Sequence, residues 1–254
     1  MDVTSIDAGS AVVVVPTYDE AGNVPELLSR VQQAAPGLHV LVVDDGSPDG
    51  TADVVRRAPG FGRTVWLLER DAKSGLGAAY RAGFDWALAR GYAAVGQMDA
   101  DLSHPPERLP ALLAALADGD VVVGSRYVAG GGVVAWPRSR RLISSAGNAY
   151  VRFVLRLPVR DTTAGFKMFR RSALLDIDVL GSASNGYSFQ IENTWRAVRA
   201  RLRVVEVPIT FTDRSVGTSK MSQQIVAEAL WRVLTWRVRE LVPPRRTVAR
   251  ARQA

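Results

Sequence analysis

The segment HVLVVDDGSPDGT (residues 39–51) decides the architecture. Its first half is an apolar run with no polar interruption, as expected of a strand covered on both faces, which needs no alternation. Its second half is turn chemistry: Gly46, Ser47, Pro48, Asp49 and Gly50, then Thr51, which can cap a following helix. Upstream stands a matching run, AVVVVP (11–16), stopped by proline. Between the two, Val24, Leu27, Leu28, Val31, Ala34 and Ala35 recur at helical spacing, with Pro25 near the start, where a missing N–H is harmless. Downstream the spacing predicts a short helix over 51–58, a strand TVWLLER (64–70), a helix over 76–90 and a strand AAVGQMDAD (93–101) ending in carboxylates. This alternation predicts an α/β fold with a mostly parallel sheet flanked by helices and ligands at the carboxyl ends of the strands. PTYDE, DDGSPDG and DAD each fall at such an end.

The rest of the chain reads as a helix over 106–117, a strand DVVVGSRY (120–127), a glycine-rich loop (129–133) and a basic amphipathic helix over 139–157. DTTAGFKMFRR (161–171) is a loop leading into a strand, followed by a helix from Tyr187 to Arg201, a strand RVVEVPITF (203–211), the segment DRSVGTSK (213–220) and a last helix over 222–241. The expected organisation is a flexible N-terminus (1–10), one domain (11–221), a C-terminal amphipathic helix (222–242) and a disordered basic tail (243–254).

Composition removes several function classes. The 254 residues contain no cysteine and two histidines, His39 and His104, so thiolate chemistry, iron–sulfur clusters and His-rich metal centres are excluded. No apolar run approaches the roughly 18–20 residues that span a bilayer, and MDVTSIDAGS lacks the features of a secretion signal, so a cytosolic or cytosol-facing protein is expected. The net charge of +7 predicts an anionic partner. Arginine supplies 29 of the 32 cations, leaving Lys73, Lys167 and Lys220 as the lysines. No G-x-x-x-x-G-K-[ST] occurs, and the first strand runs into PTYDEAGN rather than G-x-G-x-x-G, which disfavours a P-loop or a dinucleotide site.

Three features carry chemistry. Asp99 and Asp101 close the fourth strand, and two hard oxygen ligands without His or Cys suit Mg²⁺ or Mn²⁺ completed by substrate phosphate. A solvated turn or a helix cap is the bland alternative. Asp44 and Asp45 close the second strand, where one carboxylate could accept from a ribose or a base. Arg126, Arg214 and Lys220 follow strands and form a cationic set suited to phosphates. The glycines of GLGAAYRAG (75–83) fit close helix–sheet packing as well as phosphate contact.

The ordered series VVPTYDEAGN (14–23), VVDDGSPDGT (42–51), GLGAAYRAGF (75–84), MDADLSHPPE (98–107), GSRY (124–127), DTTAGFKMFRR (161–171), GYSFQIE (186–192) and EVPITFTDRSVGTSK (206–220) resembles the polyprenyl-phosphate (dolichol-phosphate) mannose synthases among the family-2 glycosyltransferases. The likeness spans roughly residues 10–240. It implies a GT-A fold, a Rossmann-like sheet, and inverting transfer of mannose from GDP-mannose to a polyprenyl phosphate with Mg²⁺ or Mn²⁺. It further implies that Pro16, Tyr18, Glu20, Val43 and Asp45 hold the nucleotide, that Asp99, Ala100 and Asp101 bind diphosphate and metal, and that Arg126, Arg214 and Lys220 bind phosphates. At Ser103, where some relatives carry a metal-binding Gln, a water or weak hydroxyl ligand is expected. Another hexose from a UDP-sugar remains the alternative.

A lipid acceptor implies a peripheral position on the cytoplasmic side of a membrane. The last helix aligns Ile225, Val226, Ala229, Leu230, Val233, Leu234, Val238 and Leu241, with Trp231, Trp236 and several arginines near the stripe. Such a stripe fits a bilayer interface, a docking surface for a membrane partner subunit, or packing on the core. A nucleic-acid partner is disfavoured, because paired carboxylates at several strand ends repel a phosphate backbone.

Overall fold

A computed structural model describes residues 6–213 and 223–241. Arg214, Lys220 and the tail over 243–254 lie outside these residues. Strands β1 (Ala11–Thr17), β2 (His39–Asp44), β3 (Val65–Glu69), β4 (Ala94–Gln97), β5 (Val121–Ser125), β7 (Lys167–Arg170) and β8 (Val204–Pro208) form one sheet in the order β3-β2-β1-β4-β7-β5-β8. β7 runs antiparallel to both neighbours, and the other pairings are parallel. Strands β6 (Gly132–Val134) and β9 (Thr210–Thr212) make a small parallel pair beside it.

The uninterrupted apolar runs are explained by two cores. Val13 and Val15 of β1, with Val40 and Val42 of β2, face helices α1 (Val24–Ala34), α2 (Thr51–Arg56) and α4 (Leu109–Ala114). Val12 and Val14, with Leu41 and Val43, face α3 (Leu76–Ala89), α6 (Arg171–Asp176) and α7 (Gly186–Arg199). Alternate residues point to opposite sides, so both sets must be apolar. The glycines of GLGAAYRAG serve close approach: a Cβ on Gly83 would lie 2.3 Å from Val14 Cγ1, and one on Gly77 would lie 2.5 Å from the Ser184 carbonyl oxygen.

Helices α5 (Arg138–Leu155) and α7 both pack on α8 (Gln223–Leu241), where Val151, Leu155, Ile191, Val233 and Trp236 form one buried cluster and Trp195 stacks on Trp236 at 5.5 Å. Among the described residues no helix is long and apolar enough to cross a membrane.

Three expected elements differ in detail. The expected strand 93–101 stops at Gln97, so Asp99 and Asp101 stand in the loop beyond it. The expected helix 106–117 is α4 with a 3-10 turn at each end. The expected strand 203–211 breaks at Pro208, which has no N–H to extend the ladder. Buried Ile209 then carries the chain into the small pair, donating to Ser125 O and accepting from Gly132 N.

Candidate active site

The loops after β1 and β2 are bound to one another. Asp19 N donates to Ser47 Oγ (3.0 Å), Glu20 N to Thr51 Oγ1 (3.1 Å), Ala21 N to Asp49 Oδ2 (2.9 Å), and Asp45 N to Thr17 O (3.1 Å). The adjacent aspartates part company here. Asp44 accepts from Thr17 Oγ1, Ser47 N and Ser47 Oγ, so it holds the turn. Asp45 meets Arg70 Nη1 at 2.6 Å and lies 3.4 Å from Ser74 N. The Tyr18 ring lies under Lys73 Nζ, 3.7 Å from the ring centre. Glu20 Oε2 accepts from Asn23 Nδ2. Pro16 pairs with Val43 in the β1–β2 ladder. The side chains of Val43 and Ala100 are enclosed in the two cores, which leaves their main-chain atoms for any ligand contact.

Asp99 and Asp101 lie after β4, beside the point where strand order reverses between β1 and β4, the usual ligand crevice of such sheets. Asp99 is 30% exposed and its Oδ1 accepts from Tyr80 OH at 3.2 Å. Burial, reinforced by Asp99, drives the Tyr80 hydroxyl well above its ordinary pKa, so it stays protonated as a donor. Asp101 Oδ1 accepts from Ser103 N (3.1 Å) and Ser103 Oγ (2.6 Å), closing a turn in which Leu102 takes a left-handed φ of 62°. The polar side-chain atoms in this turn are carboxylate and hydroxyl oxygens, a hard set that fits a dication sharing its shell with phosphate oxygens and water. No cluster of three or more His, Cys, Asp or Glu suited to a metal occurs among the described residues.

His104 joins this turn to the next part of the site. Its Nδ1 accepts from Asp99 N (3.1 Å), and its ring stacks on Phe166 and meets Phe211 edge-on. Burial lowers its pKa against the opposing pull of Asp99 and Asp101, so the ring is neutral with its proton on Nε2. The 3.9 Å separation from Asp99 Oδ2 is therefore not an ion pair.

Arg126 follows β5. Its N, Nε and Nη2 donate to Asp161 at 3.0, 2.8 and 2.7 Å, and Nη2 also reaches Thr163 Oγ1 at 2.8 Å. Burial pushes the Asp161 carboxyl up, but Arg126 overrides it, and the pKa falls below the usual carboxylate value. The rings of Tyr127, Trp136 and Phe211 surround the guanidinium. Asp213 Oδ1 and Oδ2 both accept from Arg140 Nη1 at 2.8 Å, and Arg140 lies over Trp136. A cavity of about 350 Å³ opens here, lined by Arg126, Tyr127, Gly132, Val133, Trp136, Arg141 and Ser145.

Of the residues singled out in the sequence, Pro16, Tyr18, Glu20, Asp45, Asp99, Asp101 and Arg126 thus gather at the carboxyl ends of β1, β2, β4 and β5. Sequence reasoning missed Arg70, Tyr80, His104, Trp136, Arg140, Arg141 and Asp161 as parts of the site. For Asp161 a signal existed in DTTAG, an acidic turn before a strand, but only the insertion of β7 between β4 and β5 carries it to Arg126.

Paired carboxylates at the switch point of such a sheet, with an arginine-centred cavity beside them, are the layout of a GT-A-fold glycosyltransferase. The chain belongs to glycosyl transferase family 2, whose model matches residues 12–178. It is 48% identical over 240 residues to the polyprenol monophosphomannose synthase of Mycolicibacterium smegmatis, covering 94% of this chain and 91% of that one. It is 48% identical over 223 residues to the undecaprenyl-phosphate mannosyltransferase of Micrococcus luteus, covering 88% and 92%. Among solved structures, a mannosyltransferase from Pyrobaculum calidifontis in complex with GDP-Man and Mn²⁺ aligns with a TM-score of 0.57 at 20% identity, covering 94% of this chain and 66% of that one. Glucosyl-3-phosphoglycerate synthase from Mycobacterium tuberculosis, in complex with Mn²⁺, UDP and glucosyl-3-phosphoglycerate, aligns with a TM-score of 0.63 at 18% identity, covering 94% and 84%. At these identities the structural likeness establishes the fold.

Proposed function

We propose that this protein transfers mannose from GDP-mannose to a polyprenyl monophosphate, with inversion, giving polyprenyl-phosphate mannose. The observation that carries the reading is the adjacency of two unlike halves: the Asp99/Asp101 turn and the cationic cavity at Arg126, both in electrostatic contact with His104. The names of the relatives at 48% identity support mannose as the sugar and a polyprenol phosphate as the acceptor.

In this reading Tyr18, Glu20 and Asp45, with main-chain atoms at Pro16, Val43 and Ala100, cradle the nucleotide. Asp99 and Asp101 are the residues that would hold Mg²⁺ or Mn²⁺, whose contribution when bound is to neutralise the leaving diphosphate. Arg126, with Arg141 and Ser145 beside it and Arg214 and Lys220 farther along the chain, receives phosphate. The acceptor is already an anion at neutral pH, so it requires no strong general base. Its oxygen forms the new bond to the anomeric carbon as the bond to the diphosphate breaks on the opposite face. The protein's task is electrostatic: Arg126 and Arg141 offset the repulsion between incoming and leaving phosphates. The aromatic wall of Tyr127, Trp136 and Phe211 excludes water that would otherwise compete for the sugar. The enzyme meets its lipid at the membrane surface, on the cytoplasmic side where nucleotide sugars are supplied.

Incubation with radiolabelled GDP-mannose and a short polyprenyl phosphate tests this. Label should enter the organic phase only with Mg²⁺ or Mn²⁺. Transfer from UDP-glucose in place of GDP-mannose would overturn the sugar assignment, and no transfer to lipid would overturn the reading.

A further inference from the structure

Residues 121–160 hold seven arginines and not one aspartate, glutamate or lysine. Five of the seven fall on α5 or its cap: Arg138, Arg140, Arg141, Arg152 and Arg156. Helical geometry sorts them. Arg141, Ser145 and Arg152 are spaced by four and seven residues, which returns each close to the same angular position on the helix, and Arg156 follows as its left-handed C-cap. Leu142 and Phe153 form a parallel stripe beside them and are 72% and 85% exposed. The two ends of this basic stripe serve different cavities. Arg141 and Ser145 line the cavity at Arg126. Arg152 and Arg156, about 16 Å farther along the helix at 1.5 Å per residue, line a second and larger one of about 530 Å³ with Phe153, Val154 and Arg237 of α8.

We propose that this second cavity is a headgroup site for an anionic phospholipid, and that its occupation lays α5 along the bilayer with the acceptor cavity facing the lipid. Three guanidiniums around one opening suit a phosphodiester, which guanidinium binds through paired N–H donors. Arg152 Nε is buried and has no hydrogen-bond partner. Glu240, the acidic residue one turn from Arg237, does not cancel the charge, because it is also held by Trp195 Nε1 and Arg199. A lipid rather than a free phosphate fits because apolar side chains accompany the arginines: Phe153 and Val154 line the cavity, and Trp231, Leu234 and Val238 are exposed on α8, the helix that supplies Arg237. Apolar residues beside arginines are the composition of an interfacial surface. The inference rests on the lipid-acceptor reading for its purpose, but the binding itself needs no acceptor.

The test uses the whole protein and two kinds of vesicle free of polyprenyl phosphate: phosphatidylcholine alone, and phosphatidylcholine with phosphatidylglycerol. Co-flotation should be strong only with the second and should persist in inorganic phosphate matched to the lipid phosphate. Arg152→Gln/Arg156→Gln should weaken that binding by roughly tenfold or more, since each arginine near an anionic surface contributes about one kcal/mol. Phe153→Ser should weaken it as well. All variants should retain transfer to a short polyprenyl phosphate in detergent, so loss of transfer in the unaltered protein counts against the enzymatic reading and not against this site. Equal binding to both vesicles, displacement by inorganic phosphate, unchanged flotation of the double variant, or a concentration-dependent dimer abolished by Phe153→Ser would each overturn the proposal.

Discussion

Asp161 holds Arg126 through three hydrogen bonds, one from the main-chain N–H and two from the guanidinium, with the carboxylate wholly enclosed and the arginine side chain 8% exposed. The pair fixes the direction in which the arginine faces the cavity. Removing one member leaves a buried charge without its partner, so Asp161→Asn should cost about 3 kcal/mol or more. The double variant Arg126→Met/Asp161→Leu should recover much of that stability and none of the transfer activity. Urea unfolding and turnover of the single and double variants check both statements. Full activity in the double variant would remove Arg126 from the chemistry.

Asp101→Asn separates charge from shape. An amide oxygen can still accept from Ser103 N and Oγ, so the turn around Leu102 should survive and thermal unfolding should shift little. Turnover should fall by about a hundredfold or more. Calorimetry should show GDP binding that no longer strengthens when Mg²⁺ or Mn²⁺ is added. Near-normal turnover in Mg²⁺ after treatment with EDTA would end the metal assignment.

Lys167 is fully buried at the centre of the sheet, donating to Gln190 O (2.7 Å) and Thr194 Oγ1 (2.9 Å). Burial lowers its pKa from 10.5 to about 7, with Asp161 pulling weakly the other way. Between those values the unfolded chain binds more protons than the folded one, so this group makes stability rise with pH across that window. Lys167→Met should remove the slope and stabilise the fold at neutral pH by roughly 1–4 kcal/mol. No acceptor is orphaned, because Thr194 Oγ1 already donates to Gln190 O. Chemical denaturation at a series of pH values gives the slope directly. An unchanged slope in the variant would show that the lysine is not the titrating group.

Gly77→Ala should be costly although alanine favours helices. Its Cβ would meet a main-chain carbonyl, Ser184 O, which also accepts from Arg81 Nη1 at 3.0 Å. A backbone atom cannot swing aside, so about 1–3 kcal/mol should be lost. A thermal melt indistinguishable from the unaltered protein would show that the contact relaxes freely.

The donor side of the site was legible in the sequence because it is local. Each strand there ends in its own turn motif, so Tyr18, Asp45 and the Asp99/Asp101 turn could be placed by counting along the chain. The series of motifs also pointed to the family that the comparisons bear out. The acceptor side is assembled from distant segments. Nothing in the spacing of GSRY and DTTAG announces that Asp161 clamps Arg126 across 35 positions, or that Phe211 closes on His104. The break at Pro208 was visible as a proline but not as a change of sheet, since that depends on Ile209 finding a place between Ser125 and Gly132. Arg214 and Lys220, part of the same expectation, lie outside the described residues.

Strands β4 and β5 carry the two halves of the site and do not touch one another; β7 lies between them, bonded to both. It is also synthesised some forty residues after β5. A nascent chain can therefore assemble its first four strands while the arginine half has nowhere to dock. Competence should arrive in one late step, when the strand from Lys167 to Arg170 slots home, and in refolding followed by pulsed exchange its amides should be among the last to become protected from deuterated solvent.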